Sequence, residues 1–271
     1  MKTIVIKSTA ITTFLLFLAF MANAQVAEQN RDVGEFTGIH QTTSADVYIT
    51  RGDAYSVRVR ADEEVIDKLS TEVRSGVLHI GSEKGGWRYV RVMEVYITMP
   101  RLDMLKNSGS GDISVKGNMP GNNVEIDING SGDLEAALDA KNIEINISGS
   151  GDVDFSGVRG NMNVKISGSG DVDGDELVLD ECTVTGYGSG DLELSGKAAT
   201  FVANISGSGD VNAYRLTAAD VTVKCNGSGD VVVHAAEKVK AMLNGSGDLT
   251  YYGSPEYVDV EANGSGEVYR K

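Results

Sequence analysis

From residue 109 onward, apolar and polar residues alternate in short bursts that return at a nearly fixed interval. The bursts are marked by Gly-Ser-Gly-Asp tetrapeptides ending at Asp112, Asp133, Asp152, Asp171, Asp191, Asp210, Asp230 and Asp248, with a ninth copy ending at Glu267, spaced 18 to 21 residues apart. With each acid as position 0, position −9 reads Val124, Ile143, Met162, Cys182, Phe201, Val221, Val239, Val258. Position −7 reads Ile126, Ile145, Val164, Val184, Ala203, Val223, Ala241, Val260, and position −5 reads Ile128, Ile147, Ile166, Gly186, Ile205, Cys225, Leu243, Ala262. Position +1 is Ile, Leu or Val in every copy, and residues such as Glu125, Asp127, Glu144 and Asn146 stand between the apolar ones. Strict alternation predicts strands with one buried face, over −9 to −5 and over +1 to +3.

The stretch from −9 to +3 keeps its length in every copy, and all length variation falls between +4 and the next −9, where Pro120 and Pro255 also lie. No single copy holds enough apolar side chains to fold alone. Stacked coils solve this, because each strand hydrogen-bonds its counterpart ~4.8 Å above and below. A period near 20 residues is too short for a propeller blade, and a hairpin meander does not require a constant strand-to-corner register. The expectation is an all-β, right-handed parallel β-helix, a β-solenoid of about nine ~19-residue coils and roughly 43 Å long, the hand following from that of parallel crossovers. Residues 107–271 form this repeat region.

Residues 25–106 lack the tetrapeptide but show strand patterning at Asp46–Thr50, Ser56–Arg60, Val77–Ile80 and Val90–Met99, with Ala61–Ser70 as a short helical or looped excursion. They are expected to form irregular β-structure that caps or extends the solenoid at its N-terminal end. Arg270 stands at an inward position of the last coil, where a charge would blunt an exposed edge. Residues 1–24 read as a secretory signal peptide. Lys2 and Lys7 precede an apolar run from Ile11 to Met21, and Ala22-Asn23-Ala24 supplies the small residues before cleavage. The run is too short to span a bilayer, and the residue after the expected cut is Gln25 rather than a lipid-bearing cysteine. Export follows, to periplasm, cell surface or medium.

The formal charge is −15, which argues against nucleic acid and anionic membranes as partners. Two cysteines cannot make a disulfide scaffold. Cys182 and Cys225 fall on inward positions two coils apart, roughly 10 Å along the stack, beyond disulfide reach. They are expected to be buried free thiols acting as apolar fillers.

Phe36, Val47-Tyr-Ile-Thr, Val57-Arg-Val-Arg, Gly76-Val-Leu-His-Ile, Val95-Tyr-Ile-Thr-Met-Pro100 and Asn107-Ser-Gly-Ser-Gly-Asp112 follow one another in an order that resembles the putative auto-transporter adhesin, head GIN domain family, over about residues 34–270. The resemblance implies a fold similar to the single-stranded right-handed β-helix, export in a Gram-negative bacterium and an adhesin-like role. It brings no catalytic residues. The chain ends at the ninth coil without a membrane-barrel translocator, so self-secretion is not expected.

Three groups of residues carry candidate chemistry. Asp133, Asp152, Asp171 and Asp191 at position 0, with Glu135, Asp154, Asp173 and Glu193 at +2, would form a two-by-four carboxylate grid. The structural reading of the position-0 acid is a turn cap that accepts amide hydrogen bonds. Two charges ~5 Å apart repel by about 0.8 kcal/mol even in water, so weak, multi-site Ca2+ binding is the functional alternative. Tyr214, His234 and Tyr252 at +4 would form a file of rings, suited either to mutual stacking or to a sugar face. The Asn/Ser column at −4, including Asn129, Ser148 and Asn244, reads as a structural hydrogen-bond ladder. The three histidines, His40, His79 and His234, are far apart in sequence, and no Ser/His/Asp or Cys/His constellation is visible. A polysaccharide-cleaving enzyme is disfavoured, because an anionic substrate would meet carboxylates. The functional expectation is a non-enzymatic, exported binding module of the cell envelope whose ligand is an unidentified glycan or protein.

Overall fold

The computed structural model describes residues 25–82 and 90–271. The expected signal peptide, residues 1–24, lies outside the described residues. Among the described residues, eighteen strands form one continuous sheet system wound into a β-solenoid. The N-terminal strands are β1 (Val26–Arg31), β2 (Gly38–Gln41), β3 (Asp46–Arg51), β4 (Ser56–Asp62), β5 (Leu69–Arg74), β6 (Val77–Ser82), β7 (Met93–Met99) and β8 (Met104–Asn107). The repeat supplies β9 (Ile113–Ile128), β10 (Leu134–Ile147), β11 (Val153–Ile166), β12 (Val172–Gly186), β13 (Leu192–Ile205), β14 (Val211–Cys225), β15 (Val231–Leu243), β16 (Leu249–Tyr252), β17 (Tyr257–Ala262) and β18 (Val268–Arg270).

Adjacent coils pair in parallel, and equivalent letters lie over one another. Ile126, Ile145, Val164, Val184, Ala203, Val223, Ala241 and Val260 form one unbroken file. The −9, −7, −5, +1 and +3 positions of the inner coils are buried and make up most of the core. Volumes compensate along a file: a methyl on Gly174 would stand 2.8 Å from the ring of Phe155 in the coil below, so the bulky ring occupies the space the glycine leaves.

The two short strands expected in each repeat are in fact one. Most coils run as a single strand of 13 to 16 residues from +1 to the next −5. Register shifts within the pairings, such as those between Ala137 and Ala140 and between Gly174 and Leu177, absorb the differences in coil length. An extra residue is accommodated as a bulge, which bends the strand without abandoning its hydrogen bonds. These bends turn further side chains of the variable stretch into the core, among them Met119, Leu138, Val158, Leu177, Leu216 and Ala235.

Residues 25–106 both extend and cover the stack. β2 and β3 pair in parallel with β8 and β9, aligning Gln41 with Asn107 and Val47 with Ile113. Thr43-Ser44-Ala45-Asp46 is therefore a tetrapeptide corner without glycine. β6 and β7 then stack on the far side of β2 and β3, so this later segment lies outside the earlier one. β4 and β5 run antiparallel to β7 and β6, and β1 runs antiparallel to β4. These antiparallel strands cover the parallel edge. Between β4 and β5 the chain makes a single 3-10 turn at Ile66–Lys68. The opposite end is open: Val258 is 46% exposed, whereas Val239 in the coil beneath is fully buried. Arg270 is exposed there. No helix among the described residues is long and apolar enough to cross a membrane.

The corner glycines exist because of what lies beneath them. A Cβ on Gly188 would stand 1.9 Å from the carbonyl oxygen of Gly168, and one on Gly190 would stand 2.0 Å from that of Gly170. Gly109 and Gly111 face the carbonyl oxygens of Thr43 and Ala45 in the same way, at 1.9 and 2.0 Å. Gly186 differs. Its Cβ would meet only the mobile tip of Ile205 at 3.3 Å, beside a void of about 10 Å3. Gly188→Ala is therefore expected to cost about 3 kcal/mol or more. Gly186→Ala should be neutral or stabilise by up to about 1 kcal/mol, because it restricts the unfolded chain. Thermal melts of the two variants should move in opposite directions or differ by many degrees. Equal destabilisation would contradict the stacking geometry.

Candidate functional site

The acids at position 0 serve the stack itself. Asp133 N donates to Asp112 Oδ1 at 3.0 Å, Asp152 N to Asp133 Oδ1 at 2.9 Å, and Asp171 N to Asp152 Oδ1 at 2.8 Å. The series begins with Asp112 N on Asp46 Oδ1 and ends with Glu267 N on Asp248 Oδ1. The carboxylate does accept an amide, as a turn cap would, but that amide belongs to the next coil. At −4, Ser148 Oγ donates to Asn129 Oδ1, and Asn244 Nδ2 and Asn263 Nδ2 donate to Asn226 Oδ1 and Asn244 Oδ1, so the expected side-chain ladder forms in two segments, while Ser167 Oγ between them donates to the Ile147 carbonyl. Tyr187 takes the −4 place in one coil, where it is 58% exposed.

At +2 the register places Glu135, Asp154, Asp173 and Glu193 on successive coils. They line an open groove of about 460 Å3, together with Phe155, Gly174, Asp175 and Arg215. Arg215 closes one end through an ion pair with Glu193 at 2.5 Å. Partial burial raises the Asp154 carboxyl, and the charges of Asp152, Glu135 and Asp133 raise it further. Asp173 is raised by partial burial and by Asp154, Glu193, Asp175 and Asp171. The grid is thus a line of acids whose charges repel, with a side-chain hydrogen bond between Asp173 and Asp154 offsetting part of the rise at Asp154. Among the described residues, no group of three or more His, Cys, Asp or Glu side chains gathers around one point suited to a metal ion.

The ring-bearing residues meet, but not as an evenly spaced file. His234 and Tyr252 are in register. A register shift between Ala213 and Thr217 places His234 opposite Thr217 instead of Tyr214. Tyr214 nonetheless reaches over: its ring centroid is 6.2 Å from that of His234 and 4.4 Å from that of Tyr252, tilted by 59° to the latter. The result is a mutual ring cluster, with Tyr214 47% exposed at its edge. The bulge that absorbs coil length is what breaks the file.

Distance in sequence misjudged the histidines. His40 and His79 are paired across β2 and β6, with ring centroids 5.5 Å apart, and His40 Nε2 lies 3.3 Å from Ser108 Oγ. Burial, His79 and Lys106 lower the His40 imidazole below its usual range. The signal was present in the matching segments Ile39-His40-Gln41 and Leu78-His79-Ile80, which lie one over the other. Cys182 and Cys225 are buried free thiols, and burial pushes both up.

The sequence reading passed over two polar features. Asn107 and Gln41, at position −5 of the first two corners, are fully buried. Asn107 Nδ2 donates to the Gly111 and Gly132 carbonyls at 3.0 and 3.2 Å, and Gln41 Nε2 donates to the Ala45 carbonyl at 2.5 Å. They fasten the corners at the N-terminal end. The second feature is an open groove of about 680 Å3 across five successive windings, from Asp103 to Thr183, lined by Asn123, Asn142, Asn161, Glu125, Glu144 and Asn163 among others. Asn142 Nδ2 donates to Asn123 Oδ1 at 2.7 Å, and Asn161 N donates to Asn142 Oδ1 at 3.0 Å. Position −10 carries these amides, outside the alternation that marks the core.

These features define a repeat-built parallel β-solenoid that displays ladders of polar side chains on a rigid stack. The chain belongs to the family described as putative auto-transporter adhesin, head GIN domain, whose profile matches residues 35–195 and 183–255. Among solved structures, a putative adhesin from Parabacteroides merdae superposes with a TM-score of 0.70 at 19% identity, covering 92% of this chain and 97% of that one. A putative lipid binding protein from Parabacteroides distasonis gives 0.66 at 25% identity, covering 92% and 98%. A putative adhesin from Bacteroides fragilis gives 0.51 at 21% identity, covering 91% and 97%. No curated protein matches the chain.

The raised carboxyls carry a pH signature. A folded-state pKa above the unfolded value means that the native state binds more protons in the window between the two. Stability then falls as pH rises through that window and levels off above it. Asp154→Asn with Asp173→Asn removes this penalty. The variant should melt about 1–2 °C above the parent at pH 7, an estimate discounted for solvent screening. The advantage should shrink towards pH 4. Thermal melts across pH 4–7 measure it, and a lower melting point at pH 7 would show that these acids stabilise the stack.

Proposed function

We propose that this protein is an exported, non-enzymatic binding module of the cell envelope with an adhesin-like role. Family membership supports the adhesin class, and the observation that carries the reading is the rigid in-register stack itself. Backbone bonds between coils hold outward side chains in ladders, so a partner meets a surface already ordered, and little conformational freedom is lost on contact. Two areas of that surface suit a hydroxyl-rich ligand. The Asn123–Asn142–Asn161 groove offers amides that both donate to and accept from hydroxyls and carboxylates that accept from them, and the Tyr214–His234–Tyr252 cluster offers ring faces and edges. Fold alone does not decide function, so these areas say what kind of ligand the ordered stack would meet.

Binding of labelled protein to arrayed glycans and to whole cells tests it, alongside protease shaving of the native cell. Surface exposure and saturable binding are expected. Binding should weaken by about tenfold in Asn142→Ala/Glu144→Ala or in Tyr214→Ala/His234→Ala/Tyr252→Ala. Absence of binding to every surface, or full binding by both variants, overturns the assignment.

A second reading, a Ca2+-loaded scaffold, is favoured by the repulsion that raises Asp154 and Asp173. Bridging cations would relieve it. Identical melting curves in calcium and in chelator would remove that reading.

A further inference from the structure

The clearest chemistry that the binding reading leaves unused is the histidine pair near the capped end. His40 and His79 occupy directly opposed positions on two parallel strands, both half-buried on the outer face. Their ring centroids are 5.5 Å apart and their planes are inclined by 66°. Two imidazoles that share one tetrahedral ion at Zn–N distances of 2.0–2.1 Å have centroids about 5–6 Å apart. The backbone therefore already sets the separation that chelation requires, and ring rotation is the remaining adjustment.

The surroundings agree with such a site. His40 Nε2 lies against Ser108 Oγ. A proton donated there leaves Nδ1 bare, as a ligating histidine requires of its second nitrogen. Glu72 of β5 stands directly across from His79 on the same face, where it is bonded to Arg74. Lys106 of β8, beside His40, is drawn towards Asp127 at 3.7 Å. The chain as a whole carries a net charge of −15, which favours cations. Among the described residues no third His, Cys, Asp or Glu donor gathers at the pair, and water would fill the coordination positions that the two rings leave.

We propose that His40 and His79 together bind one divalent transition-metal ion of the imidazole-preferring class, Zn2+, Cu2+ or Ni2+, in a site independent of the acidic columns.

Untagged protein at pH 7.5 tests the assignment by calorimetric titration with Zn2+ and by electron paramagnetic resonance with Cu2+. One ion per chain is expected, with a Cu2+ spectrum showing nitrogen coupling. His40→Gln and His79→Gln should each weaken binding by about 10-fold or more, while His234→Gln and Asp154→Asn/Asp173→Asn leave it unchanged. Equal affinity in the His40→Gln/His79→Gln double variant overturns the proposal, as does a Cu2+ spectrum without nitrogen coupling. Should the glutamine variants fail to fold, NMR of the parent protein decides. Zn2+ must shift the ring protons of two histidines in step and spare the third, identified as His234 through His234→Gln. Any other pattern overturns the site.

Discussion

The structure depends on how closely one coil lies on the next. Parallel hydrogen bonding fixes the spacing near 4.8 Å, and at the corner this drives the carbonyl of each lower coil to within about 2 Å of where the upper coil's Cβ would stand, as at Gly188 over Gly168. Only hydrogen fits there. The glycines at −3 and −1 are thus a contact surface more than a matter of turn flexibility. That contact holds the position-0 amide where the lower aspartate can accept it, and the ladders along each face follow from the same register.

The ends of the stack show the rule by relaxing it. Thr43 and Ala45 stand where later corners carry glycine, and Gln41 and Asn107 replace the apolar −5 residue with buried amides that fasten the corner from within. At the other end Glu267 replaces aspartate. Its amide still donates to Asp248 Oδ1 in the coil beneath, and its carboxylate accepts from the Tyr269 hydroxyl.

This explains which parts were legible in the sequence. The files at −9, −7, −5 and +1 hold a constant offset from the acid, so alternation revealed them directly. The buried residues of the variable stretch, such as Met119, Leu138 and Val158, were hidden because bulges shift their offset from the acid from coil to coil. The same bulges broke the expected ring file at Tyr214. Coils without glycine corners left no motif, and β6–β7 stack outside β2–β3, so chain order concealed that His40 faces His79 and the likeness of Ile39-His40-Gln41 to Leu78-His79-Ile80 was the signal left. The +2 acids were legible by register; the amide groove was not, since position −10 lies outside the apolar alternation.

The two acidic columns differ in what they do for the fold. A charge-assisted hydrogen bond is worth about 1.5–3 kcal/mol against about 1 for a neutral one. Each pair of neighbouring carboxylates costs about 0.8 kcal/mol before salt screening. At position 0 the gain per coil therefore meets or exceeds the repulsion, and the column is self-supporting. At +2 the balance changes, because the adjoining amides are committed to the strand ladder, and repulsion between coils remains alongside partial burial. Among the described residues, Glu193 is the one +2 acid with an ion pair, to Arg215. The first column is explained by the stack. Stability gives no reason for the second, which makes the +2 groove the acidic surface whose charge calls for an explanation outside the fold.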